Sequence, residues 1–174
     1  MAAAEELLEG RVNSLPVNVY SLVREHAVVI RQTLPADVSG MMMPAPENVS
    51  KRWVVVLNDR HPRERQNFTL AHELGHIMLH QYTTPHADSS SNDVRYRNDV
   101  SSQGVDRDEI EANQFAAELL MPARLLIPRL EKLGLVSWTE EVPPRLMEAI
   151  RDLAEECKVS TQAMLLRIGN LLAH

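Results

Sequence analysis

The run His72-Glu73-Leu74-Gly75-His76 constrains the fold of this chain more than any other feature. Two imidazoles four residues apart lie one above the other on one face of an α-helix, where both can reach a single metal ion. The carboxylate of Glu73 is displaced around the helix, so it misses the ion and faces a water bound there. Apolar residues between Phe68 and Met78 add a wide buried face. The pattern therefore predicts a largely buried helix over 62–80 that carries two metal ligands and a general base. Gly75 in its interior indicates close approach by another part of the chain.

Composition narrows the class of protein. A chain of 174 residues forms one domain, or one domain with a small appendage. It has no apolar run of membrane-spanning length, and its acidic start lacks the basic region of a secretory signal. Cys157 is the only cysteine, which excludes an intramolecular disulfide. We therefore expect a cytoplasmic protein with no membrane partner. A net charge of −6 gives no overall attraction to nucleic acid and favours a basic protein substrate.

Short elements precede and follow the motif helix. Residues 16–26 predict an amphipathic helix, and the β-branched or extended runs 27–30, 38–44 and 53–57 predict a small mixed or antiparallel sheet. The polar stretch 83–106 has no periodicity and predicts a long loop beside the site. Helices are then predicted over 107–121, 124–133, 144–158 and 160–172, the last with Ser160 or Thr161 as its N-cap. The expected class is α+β.

Two histidines leave a catalytic zinc site short of one protein ligand. Position 82 is Tyr82, which excludes the pattern with a third histidine six residues after the second. His80 is too far along the axis, because three histidines over two turns span about 12 Å. Of the acids between 106 and 111, Glu111 borders the apolar stretch of its helix, and Glu109 is rotated about 200° from it. We predict Glu111 as the third ligand, with a solvated surface residue as the alternative reading for any single acid here.

Other residues are candidates for supporting roles. An oxyanion needs a hydrogen-bond donor, and those in or beside the loop are Tyr82, His86, Tyr96 and Arg97. Asp108, one turn before Glu111, is a candidate for orienting a ligand, although helix N-terminal charge complementarity is its commoner role.

Two long segments resemble the ImmA/IrrE family of metallo-endopeptidases. They are Arg65–His80, which reads RQNFTLAHELGHIMLH, and Glu109–Pro122, which reads EIEANQFAAELLMP. The lead-in runs at 15–17, 37–40 and 54–58 and the closing run at 159–170 are also similar to that family. The resemblance covers most of the chain in order.

This resemblance implies a thermolysin-like, gluzincin-type zincin core. It assigns His72 and His76 as ligands, Glu73 as the catalytic acid/base, and Glu111, the glutamate before Ala-Asn, as the third ligand. It implies one zinc ion per chain, although two imidazoles and a carboxylate also accept Mn²⁺. The expected architecture is a metallopeptidase core over 1–122, with a small N-terminal sheet packed on the motif helix and the second ligand-bearing helix. A helical C-terminal subdomain over 123–174 follows, forming one compact unit with the core.

The implied activity is zinc-dependent endopeptidase cleavage of a protein. The expected substrate and partner is a helix-turn-helix transcriptional repressor of a mobile element or stress response. The alternative is a partner-binding component of a toxin–antitoxin-like pair with little or no peptidase activity. A structural zinc site is disfavoured by the single cysteine and would have no use for Glu73.

The C-terminal run 152–169 resembles a helix-turn-helix and raises the question of DNA binding. Its second helix carries only Arg167 as a positive charge, and residues 152–156 are acidic, which argues against direct nucleic-acid binding. Packing of Leu153, Val159, Met164, Leu165 and Ile168 into a helical core is the expected role.

Overall fold

The protein is α+β, as predicted. A computed structural model of the chain describes residues 2–80, 86–89, 103–135, 137 and 143–173. The helices in these residues are α1 Ala2–Leu8, α2 Val19–His26, α3 Arg63–Leu79, α4 Gln103–Leu120, α5 Ala123–Lys132, α6 Pro144–Cys157 and α7 Thr161–Leu172. The strands are β1 Ala27–Gln32, β2 Val38–Pro44, β3 Trp53–Asn58 and β4 His86–Ser89. Among the described helices, none is long and apolar enough to cross a membrane.

The four strands form a mixed sheet in the order β1-β3-β2-β4. β1 runs parallel to β3, whereas β2 is antiparallel to both of its neighbours, β3 and β4. The three strands expected from the sequence are present. β4, however, lies inside the stretch 83–106 that was predicted to be a loop, and α4 begins at Gln103 instead of Arg107. The sequence of β4, His-Ala-Asp-Ser, lacks β-branched and aromatic residues, so its strand conformation comes from pairing with β2.

β3 is the centre of the sheet and is buried along its whole length. Its last residue, Asn58, is a fully buried polar side chain whose amide nitrogen donates to the carbonyls of Pro35 and Val38, at 3.0 and 2.8 Å. These bonds hold the β1–β2 connection against the end of β3 and satisfy a polar group that would otherwise be costly to bury.

The motif helix α3 packs against β2, β3 and α2. It begins after Pro62 and ends at Leu79. His80 follows as the C-cap with an extended backbone, and its amide donates to the carbonyl of His76. Eight consecutive residues from Thr69 to His76 are buried, including both histidines and Glu73. Because one face of a helix cannot hold eight consecutive residues, the middle of α3 is enclosed on all sides, as the wide apolar face predicted.

The chain divides into two compact units, Asn18–Ala116 and a second made of Met1–Val17 with Ala117–His174. The sequence-based division placed residues 1–17 with the metal-motif region. In the structure these residues group with the C-terminal helices, because Ala4 and Leu8 are fully buried and Arg124 of α5 donates to the carbonyls of Leu8 and Val12. The local sequence of a short N-terminal helix does not reveal which distant segment of the chain it packs against.

The C-terminal helices pack as a core, as expected. Leu153, Val159, Met164 and Ile168 are buried, and Leu165 is half-buried. Ser160 is the N-cap of α7, and its hydroxyl accepts from the amide of Ala163 at 3.1 Å. The single cation of α7 faces inward.

That cation, Arg167, is 6% exposed. It donates to the carboxylate of Glu118, which is 2% exposed, and to the carbonyl of Met121. A guanidinium committed to a buried ion pair is not available to a phosphate, so α7 lacks the basic surface of a recognition helix.

Cys157, at the end of α6, provides a chemical test of this core. Burial raises the pKa of its thiol to about 12, and the nearby carboxylate of Glu156 adds to the rise. Relative to the ordinary thiol pKa of 9.0, this higher pKa reduces the thiolate fraction at pH 8 by about a thousandfold. We expect labelling by iodoacetamide to be slower by a similar factor in the folded chain than in urea. The raised folded-state pKa also predicts that stability falls as the pH rises above 9 towards 12, because only the unfolded thiol then loses its proton. Labelling at equal rates in both states would contradict this packing.

Candidate metal centre

His72 and His76 occupy successive turns of α3 and point to the same place. Their Nε2 atoms are 2.9 Å apart, and the two side chains are 3% and 0% exposed. Four-residue spacing on a helix produces this stacking. Burial keeps water from competing for the two nitrogens.

Glu109 of α4 completes the cluster. One carboxylate oxygen lies 3.2 Å from His72 Nε2 and the other lies 3.3 Å from His76 Nε2. Within the described residues, these three are the histidine and acidic side chains that come close enough together to hold a metal ion. The third member of the cluster is therefore supplied by a second helix, but by a residue two positions from the one predicted.

The prediction of Glu111 as third ligand is corrected by this geometry. The Glu111 carboxylate is 38% exposed and accepts from Arg107 Nε at 2.9 Å, an exposed pair one helical turn apart. The hydrogen bond to the Glu111 carboxylate, together with the negative charge of that group, raises the pKa of Arg107. Glu111 and Glu109 are about 200° apart around the helix, so only one of them can face α3. Glu111 lies four residues before the buried Phe115 and so borders the apolar face of α4. Its carboxylate is nevertheless turned to solvent, so a position beside the apolar face was an insufficient guide to the ligand.

Asn113 carries the signal that the sequence analysis missed. Its side-chain oxygen accepts from Nδ1 of His72 at 3.0 Å. Because Nδ1 donates there, Nε2 keeps its lone pair and directs it towards Glu109 and His76. Glu109 lies four residues before Asn113 and three before Ala112, hence on the same face of α4. Had Asn113 been recognised as the partner of a ligand histidine, its spacing would have pointed to Glu109.

Gly75 lets α4 come close enough for these contacts. A Cβ atom at Gly75 would lie 3.1 Å from the Cα and 3.2 Å from the carbonyl oxygen of Ala112, and 3.2 Å from a ring carbon of Phe115. The expectation that another backbone approaches Gly75 is confirmed, and the backbone is that of the helix bearing Glu109 and Asn113.

We therefore expect Gly75→Ala to destabilise the chain by about 1–3 kcal/mol, although alanine is the better helix former. The added methyl group would have to push the backbone of α4 away, since a main chain cannot rotate aside as a side chain can. Urea unfolding of the metal-free chain measures this loss. An unchanged or raised midpoint would contradict the close packing of the two helices.

Glu73 lies on the buried side of α3, beneath β2. Its side chain is 0% exposed. A Cβ atom at Gly40 of β2 would lie 3.7 Å from Glu73 Oε1 and 2.6 Å from the methyl group of Thr69. The glycine therefore lets the strand cross α3 directly over the general-base candidate.

The remaining candidates are only partly within the described residues. Tyr82, Tyr96 and Arg97 lie outside them. His86 is in β4, where its backbone is paired with Met42. Asp108 contacts His80, with Oδ1 3.5 Å from His80 Nδ1 and its carbonyl 3.2 Å from His80 Nε2.

The donor set fits a zinc-type ion. Bonds of about 2.0–2.1 Å in a tetrahedral site separate neighbouring donor atoms by about 3.3 Å. Here the two Nε2 atoms are 2.9 Å apart, and one oxygen of the Glu109 carboxylate lies 3.2 Å from His72 Nε2 while the other lies 3.3 Å from His76 Nε2. Two imidazole nitrogens and a carboxylate are also a common protein complement of catalytic zinc, which leaves a fourth position for water or substrate.

Comparison with known proteins identifies the family of this chain. The sequence pattern of the peptidase M78 family, described as the IrrE N-terminal-like domain, matches residues 24–169. The chain belongs to this family. Membership supports a metallopeptidase-type function for the IrrE-like chain and agrees with an α+β zincin-like fold. The matched range contains α3, α4 and the whole sheet.

A relative of this IrrE-like chain is "Uncharacterized immunity region protein 2" of Bacillus phage phi105. The two are 30% identical over 121 residues, which cover 70% of this chain and 67% of the phage protein.

Proposed function

We propose that the chain is a zinc-dependent endopeptidase that cleaves a transcriptional repressor. The observation that carries the proposal is the convergence of His72 Nε2, His76 Nε2 and the Glu109 carboxylate within 2.9–3.3 Å of one another. A buried carboxylate next to the first histidine, Glu73, supplies the group that hydrolysis needs in addition to ligands.

The proposed reaction adds water across a peptide bond. A bound zinc ion would lower the pKa of its water and polarise the substrate carbonyl. Glu73 takes a proton from the attacking water and delivers it to the amide nitrogen as the C–N bond breaks, which leaves a new carboxyl and a new amine. Asn113 holds His72 in the tautomer that presents Nε2 to the cluster.

Two observations support a repressor as the substrate: the name of the phage relative and the net charge of this chain. The phage protein is named for an immunity region, and this name favours a repressor-related role for the chain. A helix-turn-helix repressor is basic where it binds DNA, and a chain of net charge −6 attracts such a surface. Reaction with a repressor would take place in the cytoplasm, where a protein with a single cysteine is expected.

Metal removal tests the proposal. Any helix-turn-helix repressor found among the reading frames beside this chain's gene is a candidate substrate, and it is incubated with the purified chain before and after treatment with a chelator. We expect cleavage that chelation abolishes and a stoichiometric amount of zinc restores. Cleavage that persists in the metal-free chain would contradict the proposed chemistry.

A further inference from the structure

His80 is a residue for which the proposed chemistry has no direct use. It is the third histidine of the run along α3, and its side chain is 9% exposed. Its ring centroid lies 5.4 Å from that of His76. A largely buried imidazole at the end of a helix needs hydrogen-bond partners, and Asp108 of α4 contacts both ring nitrogens of His80.

The side chain of His80 reaches the backbone beside Glu109. Its Nε2 lies 3.2 Å from the carbonyl oxygen of Asp108. A carbonyl only accepts, so Nε2 carries the hydrogen and donates it. A helical carbonyl that already accepts from an amide four residues later keeps a second lone pair for this bond. The contact of Nδ1 with Asp108 Oδ1, at 3.5 Å, exceeds the usual length of an N–H···O bond, so the carbonyl contact is the directional one.

The backbone of His80 makes a matching contact on α3. Its amide donates to the carbonyl of His76 at 3.0 Å and closes the helix there. One residue therefore binds the main chain of His76, on one helix, and the main chain of Asp108, adjacent to Glu109, on the other. We call these two bonds the His80 clasp.

We propose that His80 is a positioning residue, whose clasp holds the Glu109 end of α4 at the distance from α3 that metal binding requires. The inference rests on the proposed function, because it concerns the same metal centre. Near this point α4 is only a few residues into its first turns, since it begins at Gln103. Helix ends fray easily, so a side-chain contact there has a larger effect on position than one in the middle.

Variants of His80 separate the clasp from simple packing. Glutamine can place its side-chain nitrogen near the position of Nε2 and donate to the Asp108 carbonyl, whereas asparagine is too short to do so. Both remove the imidazole ring. Alanine removes the bond altogether but keeps the backbone bond to His76. Arg107→Ala is the matched control, because Arg107 precedes Asp108 on the same turn and bonds only outward to Glu111 among the contacts described.

Zinc affinity of the full-length chain, measured by competition with a chromophoric chelator, is the readout. We expect His80→Ala and His80→Asn to weaken zinc binding by about tenfold or more, and His80→Gln and Arg107→Ala to stay within about threefold of the unaltered chain. Absorption of the cobalt(II)-loaded chains gives a second readout, since its bands respond to donor geometry. They should change with Asn and Ala and be retained with Gln.

Unchanged affinity in His80→Ala, or equal affinity in the Gln and Asn variants, would overturn the clasp while leaving the proposed function intact. Should His80→Ala fail to fold, the Gln and Asn pair still decides. Absence of stoichiometric zinc binding by the unaltered chain would instead contradict the proposed function, and the clasp with it.

Discussion

Replacement of Glu109 by alanine is expected to weaken zinc binding by about a hundredfold or more, because it removes one of three protein donors. Loss of a residue that only hydrogen-bonds to a ligand typically weakens metal binding by about 10–100-fold, and loss of a ligand itself should cost more. The two histidines would remain, since α3 carries both Nε2 atoms 2.9 Å apart and Asn113 still orients His72. Residual binding by two imidazoles alone is therefore the expected state of this variant. Chelator competition and metal content after gel filtration measure the loss.

Glu111→Ala is the matched control for this prediction. It removes a carboxylate two positions away on the same helix, and with it an exposed ion pair with Arg107 that solvent screens and that contributes little to stability. We expect zinc affinity within about threefold of the unaltered chain. The reverse result, with Glu111 essential and Glu109 dispensable, would show that the resemblance assigned the ligand correctly and that the geometry described above is wrong.

Glu73→Gln is expected to bind zinc as the unaltered chain does and to lose about 10²–10⁴-fold in the rate of repressor cleavage. Glutamine has nearly the same shape as glutamate, so it fits the fully buried position under Gly40 without a new contact. It cannot accept a proton from water at neutral pH, so only the proton transfer is lost. Zinc content and cleavage rate are measured on the same preparation.

A different pattern would remove Glu73 from its proposed role. Loss of zinc together with activity would make the residue a structural support of the ligands, and cleavage at the unaltered rate would exclude it as the base.

The elements were predictable where a local pattern specifies them. The β-branched run of β3 and the capped helices of the C-terminal region were read from periodicity and turn residues. β4 was not, because four residues of low strand propensity become a strand only when β2 pairs with them. The grouping of residues 1–17 with the C-terminal helices likewise depends on contacts between distant parts of the chain.

The candidate site was likewise predictable only where local sequence determines it. The positions of His72, Glu73 and His76 follow from one helix and four-residue spacing, so local sequence was sufficient. The third member depends on the rotation of α4 about its own axis, because Glu109 and Glu111, two positions apart, lie on opposite faces of that helix. Two contacts between α3 and α4 fix this rotation: Ala112 packs against Gly75, and Asn113 accepts a hydrogen bond from His72.

Intact-mass analysis of a candidate helix-turn-helix repressor from a neighbouring reading frame, after incubation with the zinc-loaded chain, tests the central claim most directly. We predict two fragments whose masses add up to that of the intact repressor plus one water, formed by the unaltered chain and absent with Glu73→Gln. Recovery of the intact repressor in a stable complex with the unaltered, zinc-loaded chain would contradict endopeptidase activity and favour a partner-binding function instead.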